Sequence, residues 1–223
     1  MGIHTSREFE RELRTLRDRL LTMAGWAEQQ IRRAVEALTT QDDALAELVI
    51  EEDKVIDQDE IEIDELAFIV MARRQPVASD LRFVILALKI VTDLERIGDL
   101  AVNIAKRVRE VNRHPPEPAI VRDLERLGEK VMEELRRVLD ALVNGDVAAA
   151  ERVIAADSDI DALNTCIIQS ILASAVKDGS RETGGWLALS SISRYLERIG
   201  DHATNIAEMV IYYVRGLDVR HHG

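Results

Sequence analysis

One phrase occurs twice in this chain. Leu94-Glu95-Arg96-Ile97-Gly98-Asp99 returns letter for letter as Leu196-Glu197-Arg198-Ile199-Gly200-Asp201, and Asn103-Ile104-Ala105 returns as Asn205-Ile206-Ala207, at an offset of 102 residues throughout. An earlier stretch repeats at an offset of 104: Ala37-Leu38 with Ala141-Leu142, Asp42 with Asp146, Glu47 with Glu151, Val49-Ile50 with Val153-Ile154, Asp53 with Asp157, and Asp57 with Asp161. A repeat of this period implies two copies of one structural unit. The step from 104 to 102 places a two-residue deletion near the turn between the fifth and sixth predicted helices, where a deletion does least harm.

Each unit reads as three helices. Aromatic residues make up only 4% of the chain and there are 4 prolines, a composition that favours helix over sheet. Apolar residues recur at three and four over residues 7–39 (Phe9, Leu13, Leu16, Leu20, Met23, Ala27, Ile31, Ala34, Leu38). Ser6 is a candidate cap there, and Thr5 with Glu8 is the better capping-box match. Trp26 lies beside the stripe and reads as an edge-of-core residue. Further helices are predicted over 43–73, 79–111 (with Ser79 as N-cap), 119–143, 147–177 and 182–215, the last ending at Gly216 in a C-cap position. Gln75-Pro76, Asn144-Gly145-Asp146 and Asp178-Gly179-Ser180 are turns. Pro115, Pro116 and Pro118 exclude continuous helix and mark a linker. The expected fold is all-α: two tandem pseudo-repeated three-helix bundles, six long helices in all, with units over 1–114 and 118–223.

The repeated phrase carries charge in an apolar setting. Glu95 and Asp99 are four residues apart, as are Glu197 and Asp201, so each pair shares one helix face. Both helices of a hairpin rise at the same rate, so residues equidistant from the turn stand at one height. The midpoint of Asp57 and Glu95 is residue 76, as is that of Asp53 and Asp99; for Asp161 with Glu197 and Asp157 with Asp201 it is residue 179. Each half thus sets an Asp-x-x-x-Asp opposite a Glu-x-x-x-Asp. Four facing carboxylates require a counter-ion. A hard or borderline cation such as Mg, Mn, Fe or Zn suits the oxygen donors, and a multinuclear cluster fits their number. Arg96, Arg198, Arg82 and Arg194 are the alternative partners, and both readings stand at this point. Asn103 and Asn205 continue the same face. Gly98 replaces the histidine of a Glu-x-x-His di-iron motif, as does Gly200, and His202 is matched by Leu100, which argues against a ligand role for it. The terminal His221-His222-Gly223 is given no metal role.

The remaining features exclude several classes. The formal charge of −12 and isoelectric point near 5.0 oppose binding to nucleic acid or anionic lipid. No run of about 18 uncharged apolar residues exists to cross a membrane. Charged residues from Arg7 to Glu12 leave no signal-peptide core, and the single cysteine, Cys166, forms no internal disulfide, so an intracellular location is expected. No base, nucleophile or phosphate-cradling loop stands beside the acidic rows, so no catalytic residue is assigned. A metal-dependent phosphoester hydrolase is the enzyme alternative. A purely structural bundle, its carboxylates paired with arginines, is the other.

Pro76-Val77-Ala78-Ser79-Asp80-Leu81-Arg82, followed by Leu88 to Asp99 with its Leu-Glu-Arg-Ile-Gly-Asp, resembles the PhoU family, the phosphate-uptake and phosphate-signalling regulators of bacteria. The second copy, Leu196 to Glu208, is similar to that family's other signature. The resemblance implies two three-helix bundles side by side and a cytoplasmic, non-enzymatic negative regulator of the phosphate-starvation response, often a homodimer. It implies partners in the ATPase subunit of the phosphate ABC transporter and a sensor histidine kinase, with only peripheral association with the membrane complex. It also implies iron, zinc or nickel on Glu95, Asp99, Glu197 and Asp201, with Asp53, Asp57, Asp157 and Asp161 fitting as the opposing ligands. The second half departs from the first at Tyr195, where the first has Asp93, and at Arg181 to Trp186, so a smaller or weaker second cluster is expected.

Overall fold

Six helices follow in chain order: α1 (Gly2–Thr40), α2 (Asp43–Arg74), α3 (Ala78–Val111), α4 (Pro118–Asn144), α5 (Val147–Asp178) and α6 (Gly184–Arg215). The computed structural model describes residues 2–113, 116–178 and 184–216. His114 and Pro115 of the linker, Gly179 and Ser180 of the second hairpin turn, Arg181 to Thr183, and the terminal histidines lie outside the described residues.

The apolar stripes become the core. In α3, Phe83, Leu86, Ile90, Leu94, Ile97, Ala101, Ile104 and Val108 are all buried, and in α4 so are Ile120, Leu124, Leu127, Val131, Leu135, Val138 and Leu142. Each fully buried leucine or isoleucine contributes about 2 kcal/mol of transfer free energy. In α1 the stripe is buried from Leu16 to Leu38, while Phe9, Leu13 and Trp26 are half-buried at its edge. The α2 helix behaves differently. Ala46, Val49, Ile56, Ile63, Ala67 and Val70 face inward, but Leu48, Val55, Ile61, Phe68 and Ile69 are exposed. Its apolar residues are spread around the helix rather than gathered on one side, so periodicity alone overstates its buried face.

The repeat reappears in the turns. Asp42 accepts hydrogen bonds at Oδ1 from the amides of Ala44 and Leu45, both at 2.9 Å, and Asp146 accepts one from Ala149 at 3.0 Å. Such a cap is worth about 1 kcal/mol. Just before each cap the backbone is left-handed, at Gln41 (φ 55°) and Gly145 (φ 64°). The next amide then reaches back to Ala37 and to Ala141, each at 3.0 Å. Gly216 has φ 69°, and its amide donates to the Tyr212 carbonyl at 2.8 Å, which closes α6 as expected. Two expected caps differ. The α1 helix begins at Gly2, so Thr5 and Ser6 lie inside it rather than at its end. The α3 helix starts at Ala78 behind an extended Val77 that makes no side-chain cap bond, which leaves Ser79 within the first turn.

The first three helices form one bundle and the last three another. The bundles meet through α1 against α4 and α3 against α6. Both contacts are antiparallel. Glu28 bonds Arg136 (2.6 Å) and Val35 packs on Gly128 along the α1–α4 seam. On α3–α6, Phe83 stacks obliquely on Tyr213, with centroids 6.0 Å apart, and Asp93 meets His202 Nδ1 at 2.7 Å. The α2–α3 and α5–α6 grooves therefore flank the central α3–α6 pair on the side away from α1 and α4.

Candidate metal-binding rows on the two hairpins

Helix approach within each hairpin is set by a glycine. A Cβ on Gly98 would lie 2.8 Å from Ile56 Cδ1, and one on Gly200 would lie 3.1 Å from Ile160 Cδ1. Glycine is thus present at both places because a neighbouring helix lays an isoleucine against the backbone. The midpoints of these packed pairs, residues 77 and 180, differ by one from those expected from the spacing of the carboxylates. Asp57 follows Ile56 and Asp161 follows Ile160, so the contact that seats each helix also positions an acid beside the opposing row.

The expected carboxylates share one electrostatic neighbourhood in each half. Burial pushes the Asp53 carboxyl above its ordinary value, and the charges of Asp57 and Asp99 push it further, against relief from Lys106. Glu95 is raised by burial and then by Asp99, with Glu60 and Asp57 adding to it. In the second half, Asp157 is raised by burial, Asp201 and Asp161, while Thr204 Oγ1 donates to its Oδ1 at 3.3 Å. Glu197 and Asp201 are raised by burial and by neighbouring carboxylates, Asp161 acting on both. In the first half Asp57 and Asp99 thus raise both Asp53 and Glu95, and in the second Asp161 raises Asp157, Glu197 and Asp201.

Arginines supply part of the compensation. Arg96 lies 3.3 Å from Glu95 and 3.2 Å from Asp99, and Arg194 lies 3.0 Å from Glu197. The two arginines do not occupy equivalent positions, since Thr92 corresponds to Arg194. Their side chains are more than half exposed, so each pair is worth well under about 1 kcal/mol. Among the described residues, no three His, Cys, Asp or Glu side chains converge tightly enough to form a ready-made metal shell. The donor chemistry nevertheless fits an oxygen-seeking cation, because groups that hold a proton more tightly through burial and mutual repulsion gain in the same way from another positive charge.

Two features escaped the motif. Glu60 joins the first row, raised by burial and by Asp64 and Asp57. The equivalent residue in the second half is Asn164, whose Oδ1 accepts from Ser193 Oγ at 2.6 Å inside the core. The offset of 104 would have paired these positions, but only the structure shows one facing the row and the other withdrawn. His202 lies outside the row and clasps Asp93 across the seam, and Tyr195, another departure between the halves, faces Arg107 across the same seam.

The molecule is thus a doubled three-helix bundle with a carboxylate row on each hairpin. Comparison with known proteins places it further. The PhoU domain family matches residues 20–108 and 124–210, one copy for each half. The chain is 39% identical over 220 residues to the phosphate-specific transport system accessory protein PhoU of Escherichia coli K12, covering 99% of this chain and 90% of that protein. It is 41% identical over 220 residues to the PhoU homolog of Pseudomonas putida, covering 99% and 86%. The crystal structure of PhoU from Pseudomonas aeruginosa superposes with a TM-score of 0.87 at 40% identity, over 94% of this chain and 100% of that one. That of the phosphate transport system regulatory protein PhoU from Streptococcus pneumoniae gives 0.86 at 28% identity, over 95% and 99%. The chain belongs to the PhoU family, a family of non-catalytic regulators, and its general role is regulation of phosphate transport and homeostasis.

Proposed function

We propose that this chain is a cytoplasmic negative regulator of phosphate uptake and of phosphate-starvation signalling, acting without catalysis as an adaptor. Its partners in this reading are the ATPase subunit of the phosphate ABC transporter and a sensor histidine kinase, and it works as a homodimer. The two carboxylate rows bind divalent or trivalent metal ions, through Asp53, Asp57, Glu95 and Asp99 in the first half and Asp157, Asp161, Glu197 and Asp201 in the second. Iron, zinc and nickel are the leading ions. The observation that supports the metal reading is that burial and neighbouring carboxylates raise Asp53 and Glu95 on one hairpin and Asp157, Glu197 and Asp201 on the other. Such ions would stabilise the fold by mass action.

The test removes one row at a time. Glu95→Ala with Asp99→Ala is expected to lower bound metal in elemental analysis of the purified protein, with helix content by circular dichroism unchanged. Unchanged stoichiometry would reject the ligand assignment and favour arginine pairing through Arg96. The regulatory role is tested in cells. Deletion is expected to switch on a phosphate-starvation reporter in high phosphate, and a reporter that stays off would reject negative regulation. Capture of the transporter ATPase and the kinase by the wild-type chain tests the adaptor role, and capture of neither would reject it.

A further inference from the structure

Four large apolar side chains stand exposed at equivalent places in the two halves. Phe68 (62% exposed) corresponds to Leu172 (59%) at the offset of 104, and Ile85 (41%) to Leu187 (65%) at the offset of 102. Phe68 and Ile85 stand at one height on the α2–α3 hairpin, with their midpoint between residues 76 and 77. Leu172 and Leu187 do so on α5–α6, with theirs between 179 and 180. Eleven residues separate Phe68 from Asp57 and Leu172 from Asp161, and fourteen separate Ile85 from Asp99 and Leu187 from Asp201. Both spacings are close to whole helical turns, so apolar and acidic residues share a face, about 16–21 Å apart along each groove.

The seam fixes how the two patches are related. Equivalent helices run antiparallel, α3 against α6 and α1 against α4. The halves are therefore related by a pseudo-two-fold axis perpendicular to the helices. The carboxylate rows lie near this axis and the two apolar pairs at opposite ends of the face. Phe83 and Tyr213 stand at one level, which puts Ile85 opposite residue 211. Leu187 is then about 24 residues, or about 36 Å, further along α6.

We propose that this face docks a homodimeric protein on the pseudo-two-fold axis, one that presents Lys or Arg side chains at its own centre and an apolar cluster about 18 Å to either side. The proposal deepens the adaptor reading by assigning the surface and the kind of partner. Apolar patches rimmed by charge mark interaction sites, and this one is kept in both halves despite their divergence. The central acids select a basic partner, and a divalent ion in each four-carboxylate row leaves the row negative. Anionic lipid is repelled by the same charge. A second copy docked through this face would set the acidic rows against their own counterparts. A symmetric dimer offers two identical patches to two near-identical ones, which doubles the contact without new chemistry.

The test uses the full chain in cells with a photocrosslinking residue, p-benzoyl-phenylalanine, at position 68 or 172, and a control at Glu129 on the opposite face. Cross-linked peptides are identified by mass spectrometry. Positions 68 and 172 are expected to capture the same segment of one homodimeric protein, beside Lys or Arg residues, while position 129 does not. Phe68→Ser with Leu172→Ser is expected to weaken binding to that protein about tenfold or more, with helix content unchanged. Capture of a second copy of this chain, of lipid alone, of unrelated segments at the two positions, or of nothing would overturn the proposal. If the captured dimer is neither the transporter ATPase nor the kinase, the adaptor reading fails while the docking surface stands. If one of those proteins is captured only at position 129, the surface fails while the reading stands.

Discussion

Gly98→Ala tests the contact that seats the first carboxylate row. Alanine gains about 1 kcal/mol of helix propensity over glycine. Against that, its Cβ would lie 2.8 Å from Ile56 Cδ1 and 3.4 Å from Cγ2, and Ile56 is only 1% exposed. A buried side chain under that overlap must shift, at about 1–3 kcal/mol. The net expectation is a loss of about 1 kcal/mol, a fall of about 2–4 °C in Tm for a chain of this size. Gly200→Ala, with 3.1 and 3.3 Å to Ile160, is expected to be milder and close to neutral. Ile56→Val removes the clashing Cδ1 and costs about 1 kcal/mol in the wild-type background. In the Gly98→Ala background that cost should vanish or reverse, a coupling of about 1 kcal/mol or more. Thermal unfolding of the four proteins by circular dichroism, without added metal, closes the cycle. A rise in Tm for Gly98→Ala, with Ile56→Val costing the same in both backgrounds, would refute the steric argument.

Other outcomes follow from the same structure. Gln41→Gly relieves a left-handed residue that Gly145 already avoids in the second half, and is expected to stabilise the protein by about 0.5–1 kcal/mol in urea unfolding; a loss would contradict it. Ser193→Ala strips the buried Asn164 Oδ1 of its donor and is expected to cost about 1–2 kcal/mol, whereas an unchanged midpoint would show that the bond carries nothing. Glu95 and Glu197 titrate above the ordinary glutamate value of 4.5 in the folded state, so their contribution favours folding below that value and is lost as pH rises through the raised one. Metal-free protein should therefore lose stability across the interval just above pH 4.5, and Glu95→Gln with Glu197→Gln should flatten the dependence and raise Tm at pH 7. A lower Tm at pH 7 would mean that the pairs with Arg96 and Arg194 dominate. Glu12 and Glu28, lowered by hydrogen bonds from Arg74 and Arg136, act in the opposite sense at more acid pH.

Much of this architecture is written in local pattern. The six helices, the stripes of α3 and α4, and the facing heights of the acids follow from a 3.6-residue period and a constant rise, which hold whatever the tertiary context. The reading weakens where context decides. The α2 helix carries apolar residues on several sides, and only its neighbours determine that Ile56 is buried and Phe68 is not. Glu60 and Asn164 occupy one repeat position, yet one faces the row and the other bonds Ser193, a difference set by the facing residues Val91 and Ser193 rather than by spacing. The roles of Asp93, His202 and Tyr195 depend on which helices meet across the seam. No period within one helix reports that, although the loss of repeat symmetry at those positions marked them as unusual.

Under the proposed function, the two rows of carboxylates together attract a cation. Anomalous diffraction from crystals of protein purified without added metal, collected above and below the iron, nickel and zinc edges, tests it most directly. Peaks between α2 and α3 beside Glu95 and Asp99, and between α5 and α6 beside Glu197 and Asp201, are the predicted result. Maps that stay featureless there even after soaking in those metals, with Arg96 and Arg194 still paired with the acids, would contradict it.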